Sequence, residues 1–380
     1  MVERARIRVL HVLWTSQVGG ITMSLRDLIN AIDADRYEID VCVLADGDLD
    51  LAPLLRRPAR IHALHFASGY DVPRAWRFCR LLRTLPCDVV HSHTSSALAT
   101  LALALCRPRT PRVFHEHGPV MTRRASWRTR LSYRCVAQLY DRFVTVSALL
   151  VTDMAEAGIP RDRIRVIENA VDAGGGEAAC GRREARARLG LDDGGLLVGT
   201  ACRLVREKDL GLFLKVARIV RAARQDVRFV VAGTGPLARE LKQLAREYGL
   251  GDAVVFLGPR ADMPVVWRAM DVFLFTSVME SFGRALLESQ VCMTPVVAPR
   301  QVAGGAAALV ASSPGILAVG SRDPDELARG VLDVLASERL RDGLGRAGRD
   351  WVTQRFGIGE WAANMESLYE ELCQKPGTLS

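Results

Sequence analysis

The stretch IRVLHVLWTSQVGGITMSLRDLINA, residues 7–31, determines the fold class. Its first part, IRVLHVLW, is apolar and rich in β-branched side chains, which is typical of a buried strand. Gly19 and Gly20 follow, and a helical pattern begins at about Ile21. A strand, a glycine turn and a helix in this order predict the first part of a βαβ unit.

The same alternation continues along the chain. Further strand-like runs occur at 39–44, 89–93, 113–117 and 143–146, and then at 196–201, 229–232, 254–257, 272–275 and 295–298. Helical patterns separate them, and two helices are predicted after Asp323. We therefore predict an α/β protein with two Rossmann-like, doubly wound parallel sheets.

A glycine-rich stretch between the two series of strands predicts a linker. The expected organisation is a first domain over 1–172, a linker over 173–182, a second domain over 183–355, and a C-terminal helix and tail over 356–380. In sheets of this kind ligands bind beyond the carboxyl ends of the strands. Residues just after each strand are therefore the candidates for function.

The composition is that of a globular protein, with 49% apolar and 25% charged residues among 380. Nine cysteines without C-x-x-C spacing favour a reducing compartment. We identify no export signal, and the longest apolar run, Ala97 to Cys106, is too short to span a bilayer. A cytoplasmic protein is expected.

The net charge of +8 favours anionic partners, such as nucleotide sugars, an acidic membrane surface or nucleic acid. The segment 121–142 has six arginines and one aspartate, so it supplies +5 of this charge. One interpretation is a peripheral contact with the inner face of the cell membrane or with the acceptor. The other is a solvated helix with an aromatic core face.

Two glycines and two cationic side chains lie directly after strands, where they could bind an anion such as a phosphate group. Gly19 and Gly20 let backbone N–H groups approach a phosphate, although they also suit a tight turn. Arg203 and Lys208 place positive charge after the strand 196–201, where they would stabilise a departing diphosphate. The alternative for these cations is a solvated pair beside Glu207 and Asp209.

Glu280 and Glu288 lie after the strand 272–275, in the sequence ESFGRALLE. If most of this span is helical, the two carboxylates lie roughly 12 Å apart, at 1.5 Å per residue. One would bind sugar hydroxyls and the other the ribose diol, since carboxylate oxygens accept the hydrogen bonds of vicinal hydroxyls. The structural alternative for Glu288 is an i,i+4 pair with Arg284.

Other signals imitate known sites. His91, His93, His115 and His117 form two H-x-H pairs at strand ends, but no carboxylate at a familiar ligand spacing completes a metal site, and we expect no metal. Asp46-Gly-Asp48 follows the second strand, where a loop turn explains it. The GTGPLA sequence at 233–238 resembles a dinucleotide fingerprint without the acid that binds ribose, so no NAD or other cofactor is expected.

Taken together and in order, these motifs resemble those of the retaining GT-B glycosyltransferases of family GT4. The resemblance rests on Gly19-Gly20, Arg203 with Lys208, Glu280-x7-Glu288 and the sequence TPVVA at 294–298. It extends over nearly the whole chain, through DVVHSH at 88–93, VTVS at 144–147 and NAVD at 169–172.

The resemblance implies a GT-B fold in which the C-terminal helix packs back on the first domain. It also implies roles for individual residues. Gly19 would contact the donor phosphate, and His117 would face the donor sugar. Glu280, with the backbone of Phe282 and Gly283, would bind that sugar. Arg203 and Lys208 would bind the diphosphate, Glu288 the ribose, and Arg260 would belong to the loop beside the base.

The implied activity is metal-independent transfer of a hexose from a nucleotide diphosphate sugar, with UDP favoured, to a glycan, lipid-linked or small-molecule acceptor, and nucleic acid is not an expected partner. The alternatives are a nucleotide-sugar 2-epimerase of similar architecture and a non-catalytic nucleotide-sugar-binding protein. This chain departs from the family at Met293 and Ala170, where glycine is usual, and at 306–308, where alanines replace an expected acid. These departures leave the donor sugar open.

Overall fold

The computed structural model describes residues 6–17, 19–47, 49–69, 71–118, 133–134, 136–172, 180–191 and 194–374. The chain divides into two compact units. Unit 1 comprises Met1–Asn169 with Ile358–Ser380, and unit 2 comprises Ala170–Gly357. Most of the predicted linker, residues 173–179, and most of the basic segment 121–142 lie outside the described residues, as does Asp48.

Unit 1 contains a parallel sheet of seven strands in the order β3-β2-β1-β4-β5-β6-β7. The strands are β1 Ile7–Thr15, β2 Tyr37–Ala45, β3 Arg60–Ala63, β4 Val89–Ser92, β5 Arg112–Glu116, β6 Arg142–Thr145 and β7 Ile164–Val166. The α-helices up to Asn169 whose bounds are described include α1 Gly20–Ala31, α2 Val72–Thr84, α3 Ala97–Cys106 and α4 Ala148–Glu156, and residues 136–139 are also helical.

Unit 2 contains a parallel sheet of six strands in the order β10-β9-β8-β11-β12-β13. These are β8 Leu196–Ala201, β9 Val227–Ala232, β10 Val254–Gly258, β11 Val272–Leu274, β12 Val296–Pro299 and β13 Ile316–Val319. The α-helices among its described residues are α5 Arg182–Arg188, α6 Leu210–Ala223, α7 Ala238–Glu247, α8 Met263–Ala269, α9 Arg284–Val291, α10 Ala306–Ser312, α11 Pro324–Ala336 and α12 Glu338–Arg355.

The two doubly wound parallel sheets confirm the predicted fold class. The expected strands are all present, with ends displaced by one or two residues in most cases. Three strands were not predicted: β3, β7 and β13, each at an edge of its sheet. β3 and β7 are short and contain polar side chains, so they lack the apolar run that identifies a central strand, whereas β13 is apolar but only four residues long.

The last helix of the chain, α13 Ile358–Gln374, belongs to unit 1. It packs against α1, and the Tyr369 hydroxyl lies 2.7 Å from His91 Nδ1 of β4. This confirms that the C-terminal helix returns to the first domain. Three helices follow Asp323 rather than the two predicted. Among the described residues, no helix combines the length and apolarity needed to cross a bilayer.

Candidate functional site

In unit 2, Lys208 and Glu280 form an ion pair. Lys208 ends a 3-10 turn that follows β8, and Glu280 lies in the loop that follows β11. These strands are neighbours in a parallel sheet, so their carboxyl ends bring the two loops together. The Ser277 hydroxyl donates to the same carboxylate oxygen of Glu280, at 3.1 Å. The result is a half-buried cation with a fixed position at the carboxyl edge of the sheet.

Arg322 and Asp209 hold this loop in place, and the sequence had not identified either residue as part of a site. Arg322 donates to the carbonyls of Thr276 and Ser277, at 2.7 and 3.0 Å, and to Asp209 Oδ2, at 2.6 Å. Asp209 also caps α6. Arg322 is 113 residues from Asp209, so no local pattern indicated the contact.

Two glycines shape the segment around Glu280. Gly304 has a φ of +85°, and a Cβ at this position would lie 2.1 Å from the carbonyl oxygen of Glu280. Gly283, with a φ of +94°, precedes α9 at its N-terminus, and no side chain among the described residues caps this helix. The backbone N–H groups at the start of α9 are therefore oriented towards any anion that approaches there.

Glu288 is held by partners within unit 2. Arg284 Nε donates to Glu288 Oε1 at 2.6 Å, and Trp267 Nε1 donates to Oε2 at 3.3 Å. The i,i+4 pair considered from the sequence is therefore present. Helix α9 begins at Arg284, so the second half of the span from Glu280 to Glu288 is helical and the first half is not. The indole of Trp267 is a partner that the sequence had not indicated.

The remaining predicted cations of unit 2 are in different environments. Arg203 is exposed just after β8. Arg260 follows β10 and makes two hydrogen bonds to Asp262, at 2.8 and 2.6 Å, and this pairing raises the pKa of its guanidinium. Phe282 is buried beside the N-terminus of α9. The position of the Arg260 side chain is therefore set by Asp262 of the same loop, whereas the Arg203 side chain is exposed to solvent at the carboxyl end of β8.

The departures from the family pattern have structural counterparts. Met293 has a φ of +58°, in the left-handed region that favours glycine. The alanines 306–308 form the first turn of α10, and the amide of Ala306 donates to the carbonyl of Glu280 at 3.4 Å. The acid that this chain lacks would thus lie close to the backbone of Glu280.

In unit 1, Gly19 and Gly20 lie at the N-terminus of α1. The backbone of Gly19 is extended, with a φ of −179°, which any residue adopts. A Cβ at Gly19 would lie 3.9 Å from its nearest neighbour, and one at Gly20 would meet none of the described atoms within 4 Å. Packing of the described residues therefore does not require glycine here, which favours the interpretation that a ligand approaches the backbone.

His117 belongs to a cluster of five histidines that lie on β1 and on, or directly after, β4 and β5. His11 Nδ1 lies 3.0 Å from His93 Nε2, and His93 Nδ1 lies 2.9 Å from His117 Nε2. His91 Nε2 lies 3.2 Å from His115 Nδ1. The alternation of side chains along a strand places both H-x-H pairs on one face, as predicted. His11 was missed because a single histidine in an apolar strand carries no spacing signal.

Burial keeps these rings uncharged. It lowers the pKa of His11 and of His117 to about 3, and the pKa of the other three is also well below the ordinary value, chiefly because of burial. The Nε2 atoms of His11 and His115 are buried without a hydrogen-bond partner among the described residues. The cluster therefore offers neutral donors and acceptors rather than positive charge.

Two overlapping groups of three histidines, one with His11, His91 and His93 and one with His93, His115 and His117, have ring nitrogens within 4.8 Å of one another. Neutral imidazole is the form that binds metals. Three imidazoles are a ligand set that zinc accepts, so this geometry does not test the expectation of a metal-independent activity, which stays a prediction.

Known proteins resemble the chain over most of its length. The family described as Glycosyltransferase Family 4 matches residues 18–174, and Glycosyl transferases group 1 matches residues 181–351. The 2-deoxystreptamine glucosyltransferase of Streptomyces kanamyceticus is 30% identical, over 85% of this chain and 88% of that protein. The D-inositol 3-phosphate glycosyltransferase of Salinispora arenicola is 33% identical, over 90% and 84%.

Solved structures support the fold. Anabaena HepE, determined in complex with UDP and glucose, superposes with a TM-score of 0.78 at 22% identity, over 96% of this chain and 100% of that one. Sucrose-phosphate synthase from Thermosynechococcus elongatus gives a TM-score of 0.77 at 19% identity, over 97% and 99%. At these identities the likeness concerns the fold alone.

The two sheets, the motifs at their carboxyl edges and these matches define the class of the protein, an enzyme that transfers glycosyl groups. The chain belongs to glycosyltransferase family 4, whose two sequence regions it contains in order, and it has the GT-B fold.

Proposed function

We propose that this enzyme transfers a hexose from a nucleotide diphosphate sugar, with UDP as the nucleotide, to an acceptor hydroxyl with retention of anomeric configuration and without a metal. The observation that carries the proposal is the position of Lys208, which is fixed by Glu280 at the carboxyl edge of the unit 2 sheet. Anabaena HepE has been solved with UDP-glucose, which supports this choice of donor.

In unit 2 the diphosphate would bind beside Lys208 and Arg203. Lys208 is half-buried and held by Glu280, so its ammonium needs little reorganisation when an anion arrives. The uncapped start of α9 supplies amide dipoles of the same sign. Glu280 would bind sugar hydroxyls, with the backbone of Phe282 and Gly283 beside it, while Glu288 would bind the ribose and Arg260 would adjoin the base.

In the proposed step the bond between the anomeric carbon and the diphosphate oxygen breaks, and the bonding electrons leave with the diphosphate. The acceptor oxygen forms its bond to the anomeric carbon on the same face. The acceptor proton passes to the departing diphosphate, whose growing charge is balanced by Lys208 and Arg203. We assign no protein nucleophile.

In unit 1, Gly19 and Gly20 would give the donor phosphate access to backbone amides, and neutral His117 would accept or donate a hydrogen bond to the donor sugar. Backbone amides and a neutral imidazole can perform these two roles by hydrogen bonding, without a formal charge. They are proposed on the family resemblance and on the open space beside the two glycines.

The test is a mass-spectrometric assay of the full chain with UDP-, GDP- and dTDP-hexoses in chelator. The acceptors are 2-deoxystreptamine and inositol phosphate, suggested by the names of two relatives, and a lipid-linked sugar in vesicles. We expect one donor to give a product with the anomeric configuration of the donor, assigned by NMR.

Three outcomes would contradict the proposal. An inverted product would remove retention, and loss of transfer in chelator that returns with a divalent ion would remove metal independence. Epimerised donor in the absence of acceptor would favour the 2-epimerase instead. As a control, Glu288→Gln should weaken UDP binding, measured by calorimetry, while the matched surface variant Glu338→Gln on α12 should leave it unchanged.

A further inference from the structure

Helices α2 and α3 of unit 1 expose large apolar side chains to solvent. They pack against each other and bury Phe78, Leu82 and Leu103 in a common core over the sheet. On their outer side, Val72 and Trp76 are each 65% exposed, and Leu101 and Leu105 are 51% and 68% exposed. Single exposed apolar residues are normal, but four on two helices that pack against each other suggest a binding surface.

Basic residues continue this patch along α2. Val72 and Trp76 are one turn apart, and exposed Arg80 and Arg83 follow at the next turns of the same helix face, with Arg77 beside Trp76. The exposed stripe of α2 is therefore apolar at its N-terminal end and basic at its C-terminal end. We call the surface formed by Val72, Trp76, Arg77, Arg80, Arg83, Leu101 and Leu105 the α2–α3 face.

The charge of these two helices has one sign. Residues 72–84 contain four arginines and no acid, whereas α3 itself has no charged residue and is followed by Arg107 and Arg109. The nearest preceding acid, Asp71, caps α2 and pairs with Arg74 at 2.7 Å. A surface that combines tryptophan, aliphatic side chains and unopposed arginines matches the boundary of an anionic bilayer, where rings and aliphatic groups enter the acyl region and guanidinium groups contact phosphates.

We propose that the α2–α3 face docks unit 1 on the surface of a membrane that contains anionic lipids. Charge complementarity selects this occupant, because α2 contains arginines and no acid, and an anionic bilayer offers phosphate groups to the arginines and an acyl region to the apolar side chains. The inference goes beyond the transfer reaction and does not depend on it. It also places the membrane contact on described residues rather than on the segment 121–142.

The test is co-sedimentation of the full chain with vesicles, without donor or acceptor. We expect binding to vesicles of equal parts phosphatidylglycerol and phosphatidylcholine, little binding to phosphatidylcholine alone, and a decrease as salt is raised. Arg77→Gln, Arg80→Gln and Arg83→Gln together should weaken binding about 100-fold, since each arginine near an anionic surface contributes about fivefold. Trp76→Ser with Leu105→Ser should weaken it at every salt concentration.

A matched control removes the same charge elsewhere. Arg339, Arg346 and Arg349 are exposed on α12 of unit 2, among Glu338, Asp342 and Asp350. Changing these three arginines to glutamine should alter vesicle binding by about threefold or less, because their acidic neighbours reduce the local potential. Thermal unfolding of every variant establishes that it remains folded.

Three results would overturn the proposal: no binding of the wild-type chain to anionic vesicles, an equal loss in the α12 variant, or a dimer that Trp76→Ser with Leu105→Ser converts to a monomer. The last result would identify a second copy of the chain as the occupant. A chain that binds anionic vesicles but has no transferase activity would contradict the proposed reaction and leave the membrane proposal intact. The two proposals can therefore be tested independently.

Discussion

The polar cluster of unit 2 and the histidine cluster of unit 1 occupy similar places on parallel sheets but differ in charge. Lys208 is charged, partly exposed and paired with Glu280. The histidines are mostly buried, are partnered mainly by one another, and have pKa values lowered by burial. Each unit therefore retains only the charge state that its burial and partners support.

This difference assigns different chemistry to the two units. Positive charge for a departing diphosphate is available at the unit 2 edge, where an acid compensates the cation when no anion is present. Unit 1 offers neutral imidazoles and free backbone amides, which orient hydroxyl groups without adding charge.

Acid should destabilise unit 1 more than unit 2. Unfolded histidine binds a proton with a pKa near 6.5, whereas folded His11 has a pKa of about 3. Stability from this group is complete above pH 6.5 and is lost as the pH falls towards 3. The preference of the unfolded state for protonated His11 should by itself lower the free energy of unfolding by about 2 kcal/mol between pH 7 and pH 5. The other four act in the same direction, and buried Glu116, whose pKa is raised, acts against them.

Hydrogen exchange at pH 7 and pH 5, read by mass spectrometry, measures this effect separately for each unit. His11→Phe removes one titrating ring and should move the acid transition of unit 1 to lower pH. His65→Asn, at an exposed position that already has a left-handed backbone, should not. Equal acid sensitivity of the two units would contradict the comparison.

Lys208→Ala should reduce kcat by about 100- to 1000-fold, or roughly 3–4 kcal/mol, because no other half-buried cation among the described residues pairs with Glu280. Steady-state kinetics with the identified donor measure it. Arg206→Ala, an exposed change in the same 3-10 turn, is the control and should retain activity. A Lys208→Ala enzyme with wild-type turnover would remove the diphosphate role.

Gly304→Ala should destabilise unit 2 by about 2 kcal/mol, since the left-handed φ and the 2.1 Å approach to the Glu280 carbonyl leave no room for a Cβ. It should also lower activity by displacing Glu280. Gly343→Ala, in the interior of α12 with open space around it, should instead raise stability by about 1 kcal/mol. Thermal unfolding distinguishes them, and similar melting temperatures would contradict the steric argument.

Met293→Gly should stabilise unit 2 by about 1 kcal/mol, because it relieves a left-handed backbone at a position with a φ of +58°. Turnover should not change. Met293→Leu keeps a side chain of similar volume and the strain, so it should give no gain in melting temperature. If both variants unfold at the wild-type temperature, the backbone at 293 is not strained.

The sequence predicted those parts of the fold that depend on local pattern. Continuous apolar runs such as β8 and β12 identified the central strands because both their faces are buried. The edge strand β3, which contains Arg60 and His62, has no such run, and its partner strand supplies the burial that fixes it. Strand ends then indicated Lys208 and Glu280, because parallel strands place their carboxyl ends at one edge.

The contacts that complete the candidate site depend on tertiary structure. The pairing of Arg322 with Asp209 joins the loop before α11 to the start of α6, and the hydrogen bond from Trp267 to Glu288 joins two helices. A charged residue in a loop has many potential partners, and sequence separation does not select one. The position of His11 among the other histidines required the register of β1 against β4.

The return of α13 to unit 1 has a consequence for biosynthesis. Trp361, Met365, Leu368 and Tyr369 are buried in this last helix, and Glu366 accepts a hydrogen bond from the amide of Asp33 at 2.9 Å. A ribosome releases these residues only after all of unit 2 has emerged. The half of the protein that is translated first therefore completes its own core last, and a nascent chain that stalls near its end would leave the aromatic and histidine-lined side of its sheet uncovered.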